Sequence, residues 1–112
     1  MISRDLTWSG SEKKIARHAF DAALDTALAG IIAEFKAKAA AVTTPSEMWA
    51  IEDHLRQRRR EIDAMFDYRY SQLIFVFAQL VYKGYLDEAQ LAGLPADKLE
   101  IIRDIRSRLR KG

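Results

Sequence analysis

The sequence predicts an all-α protein in which a long antiparallel helical hairpin, the stalk, leads to a small C-terminal helical head. Residues 11–42 contain no proline and only Gly30, and residues 44–82 contain no glycine and only Pro45, at a helix start. Apolar residues recur along both segments at the three-to-four-residue spacing of one helix face. Leu73–Phe77 is rich in β-branched and aromatic residues, but no second strand is available to pair with it.

The first helix is expected over residues 11–42, after a loose N-terminal arm in which Trp8 packs on the first helical turn. Its apolar side contains Phe20, Leu24, Leu28, Ile31, Phe35 and Val42. Such a helix of about 30 residues is about 45 Å long, whereas a compact chain of this length has a radius of gyration near 13 Å. The stalk must therefore protrude, and its apolar stripe needs a second copy. We expect a homodimer.

The central stretch, residues 44–82, has the clearest helix start. Thr44 supplies an N-cap hydroxyl, Pro45 occupies the first helical position, and Glu47 reaches back to the cap. We expect one breaker-free helical element up to Gly84, whose second half lies in the middle of the head. Its apolar stripe is Met48, Ile51, Leu55, Ile62, Phe66, Leu73, Phe77 and Leu80.

Arg59 interrupts this stripe at a position where an apolar residue is due. An unpaired buried guanidinium is prohibitively costly, so we expect Arg59 to meet a carboxylate from another helix or another chain, with Arg58 as its solvated neighbour. Beside the stripe run Trp49, Asp53, Arg56 and Arg60, and tryptophan and arginine are enriched at binding hot spots. A dimer-stabilising ion pair and a partner site both remain open, and they are compatible.

The C-terminal part is divided by glycine and proline. Gly84 ends the central stretch, Asp87 and Gln90 open a short helix in a capping-box pattern, and a final helix follows over residues 95–110. The final helix ends in arginine and lysine, which the helix dipole favours.

Composition restricts the function. The 112 residues contain no cysteine, two isolated histidines and a formal charge of +2, so we expect one domain over residues 1–112 with no metal, no cofactor and no enzymatic activity. The longest apolar run is far below the ~20 residues that span a bilayer, and we expect a cytoplasmic protein. A nucleic-acid partner would use Arg56–Arg60 and the basic C-terminus, but acidic residues punctuate both runs.

The central stretch also resembles a known family, the fluorescence recovery proteins. The matching positions are Trp49, Asp53, Leu55, Arg59, Glu61, Ile62, Asp63, Phe66, Asp67, Arg69, Ser71 and the run 74–80, Ile-Phe-Val-Phe-Ala-Gln-Leu, with a weaker echo at 96–98. The resemblance covers about a third of the chain closely. Departures from the family pattern include His54 at a usually aromatic position and Glu52 where histidine is common.

The resemblance implies an all-helical homodimer that binds the photoactivated red form of the orange carotenoid protein at its C-terminal domain. It further implies faster return to the orange dark form and release from the phycobilisome. Trp49, Asp53 and Arg59 fall on family positions tied to dimer contact and partner binding, and Phe75 on a position of the head linked to activity; Glu52, Arg56 and Arg60 extend the same surface. The alternative is a dimeric adaptor of the same fold with a different protein partner.

Overall fold

A computed structural model of the chain describes residues 7–111, and in them all regular secondary structure is helical. Helix α1 spans Gly10–Ala40, α2 Pro45–Met65, α3 Leu73–Lys83 and α4 Ala96–Lys111, and a short 3₁₀ helix, Glu88–Leu91, lies between α3 and α4. The predicted all-α class is confirmed. The first and last helices begin and end within two residues of their expected limits.

The helix starts follow the predicted chemistry. Thr44 accepts a hydrogen bond from the Glu47 backbone N–H at 3.2 Å, and the Glu47 carboxylate accepts one from the Thr44 N–H at 3.1 Å. A second capping box, formed by Ser9 and Glu12, starts α1, and the predicted box at Asp87 starts the 3₁₀ helix. These reciprocal bonds satisfy backbone donors that lack a partner within the helix.

The expected continuity of residues 44–82 is wrong, because α2 ends at Met65 and α3 begins only at Leu73. The connector between them, residues 66–72, packs aromatic side chains on α1. Phe66 and Tyr68 both meet Phe20 edge to face, with ring centroids 5.3 and 4.9 Å apart. Because these contacts require the chain to leave the helix, tertiary packing overrides a segment that contains no helix-breaking residue.

The hydrophobic core lies where α3 and α4 meet the N-terminal half of α1. Alanines of α1 allow close approach, and α3 contributes side chains on most of its surface. The buried members from α1, α3 and α4 are Ala16, Ala19, Phe20, Ala23, Leu73, Ile74, Val76, Phe77, Ala78, Leu80, Ile102 and Ile105. The expectation that Leu73–Phe77 forms a largely buried helix holds, with Phe75 as the exposed exception.

A buried ion pair ties the start of the chain to α4. Lys98 is 5 % exposed; its ammonium donates to Glu12 at 2.7 Å and to the Thr7 carbonyl at 2.6 Å, and lies 4.9 Å from the Trp8 ring centroid. Trp8 is buried, as expected, but against Lys98 and Tyr70 (ring centroids 6.0 Å apart). The rest of the predicted arm, residues 1–6, lies outside the described residues.

Beyond this core, α1 and α2 form a hairpin that buries little. No residue of α2 is buried, and the molecule measures 53 × 28 × 21 Å. The large apolar side chains left exposed on the hairpin are Leu28, Ile32, Phe35, Met48 and Trp49. In the described part of the chain, the helices are too short or too polar to cross a membrane.

Candidate partner-binding and dimerisation surface

Six of the seven predicted site residues lie on α2, and the seventh, Phe75, lies on α3. All seven are exposed, and the indole of Trp49 is the most exposed large apolar side chain in the described residues, at 58 %. The six on α2 are Trp49, Glu52, Asp53, Arg56, Arg59 and Arg60. The structure thus brings these six onto one exposed helix and separates Phe75 from them.

Within this set, the direct ion pair is between Glu52 and Arg56, whose charged atoms are 3.3 Å apart. Both side chains are more than half exposed, so this pair of the i, i+4 type contributes little stability. Asp53 has no ion-pair partner among residues 7–111. Its carboxylate is therefore available to an external cation.

Arg59 also lacks an ion-pair partner among residues 7–111, so the expectation that a carboxylate from another helix of its own chain pairs with it is wrong. It lies on the rim of a groove of about 300 Å³ on the hairpin. We call this the hairpin groove; it is lined by Leu28, Ile31, Leu55, Arg58, Arg59, Ile62 and Asp63. The Arg59 guanidinium therefore lies beside uncovered apolar side chains. The other expected partner, a carboxylate from another chain, stays a prediction.

Arg58, expected to be solvated, makes the interhelical ion pair instead. Its Nε and Nη2 donate to the two oxygens of Glu34 on α1 at 3.2 and 3.3 Å, and its Nη1 donates to Glu61 at 2.8 Å. His54 Nε2 donates to the same Glu34 carboxylate at 2.8 Å. We call these four side chains the hairpin clasp. It links the two helices where α2 buries no apolar residue.

Sequence periodicity missed the clasp because its partners lie on different helices. The available signal was the hairpin turn: Glu34 and His54 are equally distant along the chain from the N-cap Thr44, so an antiparallel hairpin places them opposite each other. Arg58 lies one turn beyond His54 on the same face. An acidic residue of α1 in that register is the expected acceptor for both.

The clasp changes the proton affinity of Glu34. Hydrogen bonds from His54 and then Arg58 stabilise the carboxylate and lower the pKa of Glu34 from 4.5 to about 2. The hydrogen bond from Arg58 also lowers the pKa of Glu61. Glu34 therefore stays ionised over the whole physiological range and accepts hydrogen bonds from both donors.

The described residues contain no cluster of three or more histidine, aspartate or glutamate side chains that could hold a metal ion. The conspicuous features are instead five large apolar side chains exposed on the hairpin and a line of exposed charges on α2. Such features define a class: an all-helical protein whose prominent surface suits contact with other proteins.

Comparisons with known proteins identify the family. The family described as photoprotection regulator fluorescence recovery protein matches residues 8–105, and the chain belongs to this family. The fluorescence recovery protein of Synechocystis sp. is 38 % identical over 96 residues, which cover 86 % of this chain and 88 % of that protein. The resemblance found in the sequence is thereby confirmed.

Solved structures of fluorescence recovery proteins have the same fold as this chain. The fluorescence recovery protein of Fremyella diplosiphon has a TM-score of 0.85 at 35 % identity, covering 91 % of this chain and 99 % of that one. The Synechocystis sp. PCC 6803 protein has a TM-score of 0.86 at 36 % identity, covering 90 % and 99 %. The fold described above is therefore the fold of this regulatory family.

The hairpin clasp predicts how the stability of the fold depends on pH. Because the folded-state pKa of Glu34 is below its usual value, its stabilising effect is complete above about pH 4.5 and is lost as the pH falls through about 2. Glu34→Gln should lower the melting temperature at pH 7, and the difference from wild type should shrink as the pH falls from 4.5 to 2. Thermal unfolding followed by circular dichroism measures this.

Glu52→Gln is the matched control, since Glu52 lies on the same hairpin but contacts only Arg56 of its own helix. Its melting temperature should stay close to wild type at every pH. A Glu34→Gln deficit that does not change between pH 7 and pH 2 would contradict the assignment of the clasp.

Proposed function

We propose that this protein is a dimeric, non-enzymatic regulator that binds the photoactivated red form of the orange carotenoid protein at its C-terminal domain. It accelerates the return of that photoreceptor to the orange dark form and its release from the phycobilisome. The observation that carries the proposal is family membership over residues 8–105, together with exposed site residues at the family positions quoted above.

The dimer is supported by what the hairpin leaves uncovered. Leu28, Ile32 and Phe35 on α1 are 41, 54 and 41 % exposed, and Met48 and Trp49 on α2 are 48 and 58 % exposed. Large apolar side chains that are exposed together on one hairpin favour contact with another protein chain. In the proposed arrangement the hairpin is a stalk, α3 and α4 form a head, and a second copy covers the stalk.

Arg59 and Asp53 give this arrangement its charge pattern. Both are exposed and lack an ion-pair partner in the described part of the chain, and Arg59 borders the hairpin groove. When a second copy covers the groove, Arg59 loses water and needs a carboxylate, which Asp63 of that copy supplies, whereas Asp53 stays available to the regulated partner. A two-fold interface contains such a pair twice, because each copy contributes the same arginine and the same carboxylate.

A regulator without a catalytic group can accelerate a conformational return only by binding. It must stabilise the arrangement near the top of the barrier more than it stabilises the red form. Each ~1.4 kcal/mol of that preference gives a tenfold faster return. The surface of Trp49 and Asp53, with Phe75 on the head, is where we place this contact.

The dimer itself is the first testable outcome. Light scattering on a size-exclusion column should give twice 12.8 kDa for the wild type at micromolar concentration. Arg59→Leu should weaken the dimer by about 2–5 kcal/mol, because the carboxylate left in the interface loses its counter-charge. Sedimentation equilibrium measures this change.

Arg60→Leu is the control, since Arg60 is exposed beside Arg59 but does not line the hairpin groove. Arg58→Leu is unsuitable because it removes the hairpin clasp. A wild type that stays monomeric and fully helical, or equal small effects from Arg59→Leu and Arg60→Leu, would refute the proposed interface.

The activity is tested by mixing the purified protein with photoconverted orange carotenoid protein and following the loss of red absorbance in the dark. Wild type should accelerate the loss, and Asp53→Leu should abolish most of the acceleration while remaining dimeric, because a buried apolar group cannot replace the carboxylate toward a cationic partner group.

Asp25→Leu is the matched variant, since Asp25 is also exposed but lies on α1, away from the line of charges on α2. It should accelerate the return like wild type. If the wild-type dimer at saturating concentration gives no acceleration, the activity is refuted and an adaptor with another protein partner takes its place.

A further inference from the structure

We propose that Glu34 is a positioning residue for the dimer, because it holds Arg58 against α1 and away from the second copy. Each hairpin then offers that copy one available cation, Arg59, and one available anion, Asp63. The inference rests on the proposed function, since it takes a second copy as the occupant of the hairpin groove. It adds the residue of α1 that makes this groove suitable for a two-fold contact.

Two neighbouring arginines line the hairpin groove, and their guanidinium groups have different contacts. Nε and Nη2 of Arg58 donate to Glu34, and its Nη1 donates to Glu61. Arg59 has no ion-pair partner among residues 7–111. Arg58 is therefore engaged within its own chain, and Arg59 is the guanidinium that another chain can use.

Of the two carboxylates that contact Arg58, Glu34 is the one that fixes it relative to α1. Glu61 lies three residues further along α2, so its bond to Arg58 moves with that helix. The two bonds to Glu34, at 3.2 and 3.3 Å, form a bidentate pair between the helices, and such a pair fixes the direction of a guanidinium. Without Glu34, Arg58 keeps only the bond within α2 and can turn toward the groove.

The charges that line the groove are balanced only when Arg58 is paired. The lining residues include two cations, Arg58 and Arg59, and one anion, Asp63. In a two-fold contact each copy presents the same patch to the other, so an excess cation on one copy faces the same excess on the other. Like charges in this arrangement oppose the contact. Once Glu34 neutralises Arg58, one cation and one anion remain on each copy.

The remaining two charges have the spacing that a two-fold contact requires. Arg59 and Asp63 are four residues apart on α2, so they lie on the same side of the helix, about 6 Å apart along its axis. Neither has an ion-pair partner in the described part of the chain. An antiparallel second α2 that crosses at this level brings the arginine of each copy opposite the aspartate of the other.

The first test compares dimer affinities by sedimentation equilibrium, using full-length proteins whose helicity at the assay temperature is checked by circular dichroism. Glu34→Gln should weaken the dimer about tenfold or more, which corresponds to about 1.4 kcal/mol. The deficit should shrink as salt is raised, because salt screens the repulsion between the two released arginines. Asp25→Asn makes the same charge change at an exposed position of α1 and should leave the affinity unchanged.

The second test adds Arg58→Met to Glu34→Gln, which removes the released guanidinium but keeps an unbranched apolar side chain. The double variant should recover most of the lost dimer affinity. It should not regain the wild-type melting temperature, because the hairpin clasp is absent from it. If Glu34 acted only by tying α2 to α1, the affinity would not recover, since both proteins lack that tie.

Two results would overturn the inference. They are a Glu34→Gln dimer as tight as the wild type, and a double variant that dimerises no more tightly than Glu34→Gln alone. Both results leave the wild-type dimer, and with it the proposed function, intact. A monomeric wild type would instead refute the proposed dimer, and the inference would fail with it.

Discussion

Helix α2 packs mainly on α1, with a smaller contact to α3, and buries none of its 21 residues within the chain. Apolar side chains at its contact with α1, such as Leu55 and Ile62, stay partly exposed, and the clasp on Glu34 supplies directional contacts instead. Charged hydrogen bonds of this kind fix the register of two helices more than they add stability. The hairpin is thus well defined in geometry, but it buries little apolar area and keeps large apolar side chains in contact with water.

The connector at residues 66–72 separates α2, which stays outside the core, from α3, which enters it. Phe66 and Tyr68 pack on Phe20, and the Arg17 guanidinium lies 4.6 Å from the Tyr68 ring centroid. Burial raises the pKa of Tyr68 to about 12, so its phenol stays neutral against α1. By ending α2 at Met65, these contacts direct α3 into the core and leave α2 outside it. One aromatic cluster therefore decides which helices build the core and which present a surface.

Local signals in the sequence predicted much of the fold. The Thr44 capping box and the left-handed Gly84, at φ 84°, act over a few residues and mark helix ends without tertiary help. The break after Met65 has no such signal, because it arises from packing on Phe20. Likewise, periodicity shows that Arg59 stands where an apolar residue is due. Whether Arg58 or Arg59 reaches Glu34 depends on which side of α2 faces α1, and the structure shows that it is Arg58. The exposed positions of Trp49 and Asp53 agree with a surface role.

We propose that a second copy covers the hairpin, and the distance between labels on two copies tests this directly. Because the chain has no cysteine, a single Gln57→Cys variant places one spin label on the exposed side of α2. Pulsed dipolar spectroscopy then detects only distances between copies. A covered hairpin should give a clear dipolar signal with a narrow distance distribution from Gln57→Cys, and this signal should broaden or disappear when Arg59→Leu is added. A labelled, fully helical sample that shows no dipolar signal at micromolar concentration, or the same signal in both variants, would contradict it.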